Sequence, residues 1–503
     1  MKAAILAAGL GSRLQPITNH KPKCMVKVQG ETLLERQLSA FLEGGVEEVY
    51  IVTGYRSELI DEKYIKRRFK KMEIHFIQND LFETTNNMYS LYLLKPYLYN
   101  QSFVLCNGDI IYDNQIFVSL VNSPYPDLIA VEKNNFMDES MKIKVNSDNL
   151  IVDISKALDE DDSYGVSIDM YKFSMNSAKV LFDRVETIIN VENNLKDWTE
   201  VAIQSVLKER LINMQPYSIN DYRWVEIDNY NDLALADMKF HNLSMDIKDA
   251  VFFIDLDGTL MKGQELIPGA DEFINYLNKN EIPYFLLSNN SSYSKSELIN
   301  KMQLFGIEVD EHKIILSTDG LIAYLLDEGA LKTYTVGTNA MIDYLESNNI
   351  ETDAETPDFV ILGYDTEINY QKIKKASKFL NQGIPMLATH IDVNCPTPDG
   401  PIPDIGSFIN MFSTALEVTP YKIFGKPNIE MLSFKLEQFA KSHPARTPVV
   451  IGDRLYTDME MAKRLNIDFI CVLSGEASRE EIDKLDLFPN LTVKSVKEIL
   501  QMI

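Results

Sequence analysis

Two motif sets of the kind that handle phosphate, each launched from a short apolar run, lie half a chain apart, and no single core can hold both. The first is Leu6-Ala7-Ala8-Gly9-Leu10-Gly11-Ser12-Arg13-Leu14-Gln15-Pro16-Ile17-Thr18, closing with Lys21-Pro22-Lys23. The second opens with Val251-Phe252-Phe253-Ile254-Asp255-Leu256-Asp257-Gly258-Thr259-Leu260. It is completed by Ser288-Asn289-Asn290, Gly425-Lys426-Pro427-Asn428 and Gly452-Asp453-Arg454-Leu455-Tyr456-Thr457-Asp458. At 503 residues the chain exceeds what one hydrophobic core supports, so the two sets imply two domains and two activities in one polypeptide.

Apolar runs at residues 3–6, 49–52, 103–106 and 128–131 alternate with stretches of helical period such as 33–42. That rhythm is the signature of a mainly parallel sheet covered by helices. It stops near Phe240, and a short polar stretch, His241 to Asp249, precedes the next apolar run at Ala250. The fold expected is α/β: two Rossmann-like domains with mainly parallel sheets, residues 1–240 and 250–503, joined by a linker at 241–249. In the second half the run Tyr284–Leu287 reaches Ser288, yet Lys426 arrives only after a detour with strand signals of its own at 333–336 and 359–362. An inserted α/β cap over about 318–420 is implied.

The formal net charge of -25 sets both sites in a repulsive field for nucleic acid and for anionic membrane surfaces. Phosphate must therefore be held by local backbone N–H groups, by Arg and Lys, and by a divalent cation. Cys24, Cys106, Cys395 and Cys471 are scattered, with no C-x-x-C pair, so neither a zinc site nor a disulfide framework is indicated, and a reducing cytoplasm is the expected setting. The apolar start is cut by Gly9, Gly11 and Arg13 before it reaches the length of a signal core, and no run approaches the roughly 20 residues that span a bilayer. Membrane insertion is not expected, and the sequence leaves a homo-oligomer open.

In the first set Leu14 stands where a dinucleotide fingerprint needs its third glycine, and no G-K-[ST] follows, so Rossmann-cofactor and P-loop readings both fail. Arg13 and Lys23 bring two cations to one loop stiffened by Pro16 and Pro22. This loop resembles the signature of the nucleotidyltransferases that activate phosphorylated sugars and alcohols, and the resemblance extends over about 240 residues. It implies that Leu6, Ala8, Gly9, Gly11 and Ser12 help to hold a nucleotide. Arg13 would lie on the outer phosphates and Lys23 near the α-phosphate, both offsetting charge in an in-line displacement. Asn107-Gly108-Asp109 matches the family's metal-binding aspartate, and Trp224-Val225-Glu226-Ile227-Asp228 its other ligand, leaving Glu226 and Asp228 as alternatives. The segment Glu83 to Leu91 resembles the base-binding stretch of phosphocholine-type cytidylyltransferases, which implies CTP, with Asn87 and Ser90 facing the pyrimidine. Asn86 and Asn87 also suit the cap of a following helix. Trp198 and Trp224 fall where that family holds its acceptor and could face a quaternary ammonium or simply pack.

The second set resembles the haloacid dehalogenase superfamily from Val251 onward, with its four motifs in order. The resemblance implies Asp255 as nucleophile, Asp257 as acid and base, Ser288, Asn289 and Lys426 around the transferring phosphate, and Mg²⁺ held by Asp255, Asp453 and the Asp257 carbonyl, with Asp458 in support. The stretches Leu387 to Asp392 and Pro398-Asp399-Gly400, ahead of Gly406-Ser407, resemble the caps of phosphatases acting on nucleotide monophosphates, phosphoglycolate and glycerol phosphate. There His390 and Asp392 would select the substrate, or His390 would position a loop.

Together these readings give a bifunctional Mg²⁺-dependent enzyme: a cytidylyltransferase joining CTP to a small phosphorylated alcohol, phosphocholine-like or a polyol phosphate, and a phosphatase for a related ester. The resemblance further implies that the CDP-activated alcohol is attached to cell-surface glycans, the usual fate of such groups in that family. The rivals are a sugar-1-phosphate nucleotidyltransferase using another NTP and a regulatory nucleotide sensor; Arg13, Lys23 and Asp109 are all present, which a sensor does not require.

Overall fold

The computed structural model describes residues 1–133, 136, 140–395 and 400–503, so Pro398 and Asp399 of the cap motif lie outside the described residues. Two compact units result, Met1–Phe240 and His241–Ile503. Among the described residues no helix is long and apolar enough to cross a membrane.

In the first unit the strand Lys2–Ala7 is central, paired in parallel with Phe103–Asn107 on one side and Glu48–Thr53 on the other, with Glu73–Gln78 parallel beyond. Direction reverses at Gly165–Phe173, which runs antiparallel to Phe103–Asn107 and leads to Lys142–Val145 and Ile151–Ser155. Successive residues of the first strand point to opposite faces: Ala3, Ile5 and Ala7 join Leu34, Leu38 and Phe41, whereas Ala4, Leu6 and Ala8 join Met88, Leu91 and Leu105. Both faces are therefore buried, which explains why the strand reads as an unbroken apolar run rather than an alternating one. The helix Leu33–Glu43 starts where Thr32 accepts from the Glu35 N–H at 3.1 Å and Glu35 accepts in return from the Thr32 N–H at 3.0 Å. Each buried Leu or Phe on its inner face contributes roughly 1.5–3 kcal/mol.

A close approach places Asp109. The Gly108 N–H donates to the Leu6 carbonyl at 2.8 Å, and a Cβ at Gly108 would meet the Ala7 Cβ at 2.9 Å. Only glycine passes there, so the chain turns across the carboxyl end of Lys2–Ala7 and delivers Asp109 to the same edge as the Gly9–Arg13 loop.

In the second unit six parallel strands run in the order Ile314–Leu316, Tyr284–Ser288, Ala250–Asp255, Thr447–Gly452, Asp468–Val472, Leu491–Val493. Asp255, Ser288 and Gly452 end neighbouring strands, which gathers three of the four motifs at one edge. After Ile314–Leu316 the chain builds a separate four-stranded parallel sheet, Thr333–Val336, Phe359–Leu362, Met386–Ala388 and Pro420–Ile423. The insert thus keeps Pro420–Ile423 as its last strand, slightly beyond the span expected from sequence, and returns directly to Lys426. Residues 241–249, expected as a linker, pack with the second unit. The Asn242 N–H donates to the Asn490 carbonyl at 2.8 Å, and Ser244 donates to Asp468 through its N–H at 2.6 Å and its hydroxyl at 2.8 Å. Their polarity is spent on these partners.

One buried cation closes a helix of the first unit. Lys172, 4% exposed, donates to the carbonyls of Leu120 at 3.2 Å, Val121 at 3.0 Å and Ser123 at 2.9 Å at the end of the helix Asn114–Asn122. Lys172→Met leaves these terminal carbonyls without that donor and is expected to destabilise the first unit by about 2–3 kcal/mol in denaturant unfolding, with the second unit's transition unmoved. An unshifted first transition would refute this capping role.

Candidate functional sites

The Gly9–Lys23 loop of the first unit borders a cavity of about 300 Å³ lined by Leu6, Ala8, Gly9, Arg13, Asn87, Ser90, Asp109, Glu226 and Asp228, among others. Gly11 and Ser12 are not in the lining. Gly11 instead takes the left-handed conformation, φ 61°, that lets the turn Ser12–Leu14 begin, and its carbonyl accepts from the Thr18 hydroxyl at 2.8 Å. Lys23 is also outside the lining, yet it organises the carboxylates: its Nζ lies 2.7 Å from Asp109 Oδ2 and 2.5 Å from Asp228 Oδ1. Arg13 reaches Asp228 Oδ2 at 2.8 Å.

The electrostatics follow from this arrangement. Desolvation opposes a charge on Lys23, but Asp109 and then Asp228 outweigh it and raise the pKa. Desolvation likewise works against the Asp228 carboxylate, and Lys23 followed by Arg13 hold it below its ordinary range. Glu226, hemmed in by protein although its edge is open, is pushed up to about 7 by desolvation and by the charges of Asp109 and Asp228. Asp109, Glu226 and Asp228 each offer an oxygen within 4.8 Å of the others. Asp109 Oδ1 is buried without a hydrogen-bond partner. Hard carboxylate donors with an orphaned oxygen fit a cation such as Mg²⁺, and the geometry brings Glu226 and Asp228 to it together.

Asn86 caps the helix Asn87–Leu93, its Oδ1 accepting from the Asn87 N–H at 2.8 Å, while Asn87 Oδ1 accepts from the Thr199 N–H at 2.8 Å. Both therefore have structural duties, and both still line the cavity. Ser90 Oγ accepts from Asn79 Nδ2 at 3.2 Å. Trp224 is 6% exposed and donates through Nε1 to Glu132 at 2.8 Å; Trp198 is 43% exposed, with Lys156 Nζ 4.7 Å from its ring centroid.

Sequence reasoning missed Asn79, Lys156, Asp169 and Glu200 in this lining. Asp169 has φ 56° where the register of Gly165–Phe173 against Leu128–Glu132 shifts, and this kink turns its carboxylate toward Asn107 Nδ2, 2.7 Å away. The Tyr171 hydroxyl bridges Asp169 Oδ1 at 3.0 Å and Glu200 Oε1 at 2.8 Å. Burial, reinforced by Glu200, pushes Asp169 well above the carboxylate range, and burial also raises Glu200. The available signal was an acid set between the apolar residues Ile168 and Met170.

In the second unit Lys426 Nζ pairs with Asp255 Oδ1 and, at 2.6 Å, with Asp458 Oδ1. Desolvation of Lys426 is outweighed by Asp255 and Asp458, so its pKa is raised. Asp255, Asp453 and Asp458 form a buried carboxylate triad within 4.8 Å, and Asp255 Oδ2 and Asp453 Oδ1 have no hydrogen-bond partner, again a fit for a hard divalent cation. Asp458, expected in support, lies close enough to stand in the triad with them. Gly258, at φ 99°, faces the Asp453 carboxylate so closely that a Cβ there would overlap it, and Gly475 is equally restricted. Asp257 lines the adjoining cavity and is pushed up to about 6 by burial and by Asp255.

Asn289 works as a splint: its Oδ1 accepts from the Lys426 N–H at 2.7 Å, and its Nδ2 donates to the Lys426 carbonyl and to Asp392 Oδ2, both at 3.2 Å. Ser288 is buried and accepts from the Asn290 N–H at 3.1 Å, outside the cavity lining. Arg454, quoted in a motif without a role, reaches Asp392 at 2.8 Å and Glu476 at 3.0 Å. His390 is fully buried between Thr389 Oγ1 at 3.2 Å and Asp404 Oδ1 at 3.0 Å.

Comparison with known proteins agrees with this division. Residues 3–151 match the MobA-like NTP transferase domain, residues 252–351 the haloacid dehalogenase-like hydrolase family, and residues 423–499 a further HAD-hydrolase-like model. An acid sugar phosphatase of Staphylococcus saprophyticus is 30% identical over 254 residues, 50% of this chain and 96% of its own length. A dihydroxyacetone phosphatase of Corynebacterium glutamicum is 30% identical over 250 residues, 49% and 90% of the two chains. Among solved structures, a 4-nitrophenylphosphatase from Thermotoga maritima is 31% identical over 50% of this chain and 97% of that one, with a TM-score of 0.48. The chain is an enzyme that belongs, through its second half, to the haloacid dehalogenase-like hydrolases, and it carries an NTP transferase domain of the MobA-like kind ahead of it.

Proposed function

We propose that the first unit transfers a cytidylyl group from CTP to a small polyol phosphate, releasing pyrophosphate, and that the second hydrolyses a related small phosphate ester through Asp255. The transferase reading is carried by the Lys23 clamp. Lys23 and Arg13 stand beside Asp109 and Asp228 at the cavity edge, so incoming phosphates meet two cations already positioned. Arg13 engages the outer phosphates, and Lys23 offsets charge at the α-phosphate as the acceptor's oxygen attacks and the bond to pyrophosphate breaks. When bound at Asp109, Glu226 and Asp228, Mg²⁺ supplies further positive charge to the same oxygens. Asn79, Asn87 and Ser90 provide the amide and hydroxyl groups that suit a pyrimidine edge.

For the acceptor, a polyol is favoured over a quaternary ammonium. Lys156 covers a face of Trp198, and Trp224 is packed and bonded to Glu132, so among the described residues these two rings form no open aromatic cage at the cavity. Asp169 and Glu200 are buried acceptors that hydroxyls can satisfy, and Lys156 suits the acceptor's phosphate.

The phosphatase reading is carried by Lys426, which holds the Asp255 carboxylate in place. An Asp255 oxygen attacks phosphorus as the ester P–O bond breaks, and Asp257, whose proton burial retains up to about pH 6, passes it to the leaving oxygen. Asp257 then takes a proton from the water that attacks the aspartyl phosphate, which frees inorganic phosphate and restores Asp255.

Asp109→Ala is expected to lower pyrophosphate release at least tenfold while phosphatase turnover is retained, because the units have separate cores. More than roughly a tenth of wild-type transfer in this variant would contradict the assignment. With the four NTPs and glycerol phosphate as acceptor, kcat/KM is expected to favour CTP over ATP and GTP by at least tenfold, with UTP the nearest competitor; parity between CTP and GTP would overturn the base assignment. Asp255→Asn keeps the side chain's size and removes its anionic oxygen, so hydrolysis is expected to fall by at least about 10³-fold. Single-turnover labelling that traps phosphate on another residue would refute the covalent route.

A further inference from the structure

Among the described residues, three groups of acidic and histidine side chains each bring their ligand atoms within 4.8 Å of one another. Two are the carboxylate sets around Asp109 and Asp255. The third, His390, Asp392 and Asp404, lies on the cap side of the phosphatase cavity and has no part in the chemistry assigned to Asp255 and Asp257. His390 and Asp392 stand two positions apart in the segment that follows the strand Met386–Ala388. Asp404 caps the helix Ile405–Leu416, its Oδ1 accepting from the Ile405 N–H at 2.6 Å. All three are buried, with exposures of 0%, 2% and 5%.

The hydrogen bonds around His390 show what these side chains lack. The Thr389 hydroxyl donates to Ser291 Oγ at 3.0 Å, which leaves its oxygen to accept from His390 Nδ1–H, 3.2 Å away. A neutral imidazole protonated at Nδ1 turns the Nε2 lone pair toward Asp404 Oδ1, 3.0 Å distant. Two lone pairs this close need a positive centre between them. A proton there would serve that pair alone and leave Asp392 Oδ1, which is buried without a hydrogen-bond partner, unsatisfied. Asp109 Oδ1 and Asp255 Oδ2 are orphaned in the same way at the other two clusters. One metal ion meets all three atoms.

The charge balance points the same way. The cavity lining sets Asp255, Asp257, Asp392 and Asp404 against Lys426 and Arg454. Each of those cations is already divided between two carboxylates, Lys426 between Asp255 and Asp458, Arg454 between Asp392 and Glu476. The open space is about 20 Å³, so in this closed arrangement the occupant is an ion or a water molecule.

We propose that His390, Asp392 and Asp404 hold a second divalent cation in the phosphatase half, of the first-row class of Zn²⁺ and Mn²⁺, separate from the Mg²⁺ of the Asp255 cluster. One imidazole nitrogen with two carboxylate oxygens suits these ions, whereas Mg²⁺ favours oxygen donors. No thiolate is needed: burial raises the pKa of the Cys395 thiol in the same lining and keeps it protonated. The ion ties the segment carrying His390 and Asp392 to the first turn of the helix Ile405–Leu416. It also adds positive charge to the cavity that Asp255 shares, whichever ester is hydrolysed there.

The full-length enzyme is stripped with chelator, returned to excess Mg²⁺ and dialysed against Zn²⁺, and its zinc content is measured by mass spectrometry. His390→Gln is expected to hold about one equivalent fewer than wild type, and Asp404→Asn to bind that equivalent at least roughly tenfold more weakly. Asp404→Asn keeps an oxygen for the Ile405 N–H, so the start of the helix is preserved. A cooperative unfolding transition of the second unit in chelator reports that each variant folds. Asp453→Asn, at the other buried cluster of this unit, is expected to retain the equivalent. Equal zinc content and affinity in wild type, His390→Gln and Asp404→Asn, or loss of the equivalent in Asp453→Asn alone, would overturn the proposal and leave the site to a water molecule. Binding is read here without turnover. If no ester is hydrolysed while the zinc equivalent persists, the phosphatase reading falls and the cation site stands; if hydrolysis proceeds without that equivalent, only the cation site falls.

Discussion

A lysine ammonium held between two carboxylates organises each half of the chain. Lys23 joins Asp109 to Asp228, and Lys426 joins Asp255 to Asp458. Each clamp connects positions far apart in sequence and gathers at one point the acids that would otherwise repel one another. Removing one partner from such a pair leaves an uncompensated charge in a poorly solvated place, which typically costs about 3–5 kcal/mol, so the clamps are sensitive points of both sites. They also set the charge balance that a phosphate meets, because each presents a cation and an oxygen still lacking a partner, Asp109 Oδ1 or Asp255 Oδ2, at the same location.

The sheets make these clamps possible. Asp109 follows the parallel strand Phe103–Asn107, and Asp255 and Asp453 stand at the carboxyl ends of the neighbouring parallel strands Ala250–Asp255 and Thr447–Gly452, while Asp228 and Lys426 reach the same points from other sheets. Glycines then admit the charged groups at distances no other residue allows. Gly108 lets the chain cross the end of Lys2–Ala7 on the way to Asp109, and Gly258 and Gly475 leave room for the Asp453 carboxylate. The cap adds the remaining constraint. Asp392 is tied to Arg454 and Asn289, and Asn289 grips the Lys426 backbone, so the surface that covers the substrate is mechanically linked to the residue that holds the nucleophile.

Much of this was legible in the sequence because it is local. Asp255, Asp257, Asp453 and Asp458 occur in contiguous motifs, and the apolar runs that carry them are buried strands for the simple reason that both sheet faces are covered. What the sequence left out were partners it could not display. The polar stretch 241–249 reads as a linker, and Asp468 and Asn490 bind it. Asn87 reads as a base contact or a helix cap; it lines the cavity, and its Oδ1 also accepts from the Thr199 N–H.

By itself the sequence determined the α/β class, the division into two halves, the inserted cap and the chemical character of both sites, since these depend on periodicity and on residues close together in the chain. Only the tertiary structure decided which acids share a lysine, that Glu226 and Asp228 converge on Asp109 together, that the Asp169 kink and Glu200 face the first cavity, and that Asp392 keeps one oxygen free. Those properties depend on burial and on distances between segments as much as 205 residues apart, as in the Lys23–Asp228 pair, and desolvation and Coulomb energies are fixed by such distances rather than by order along the chain.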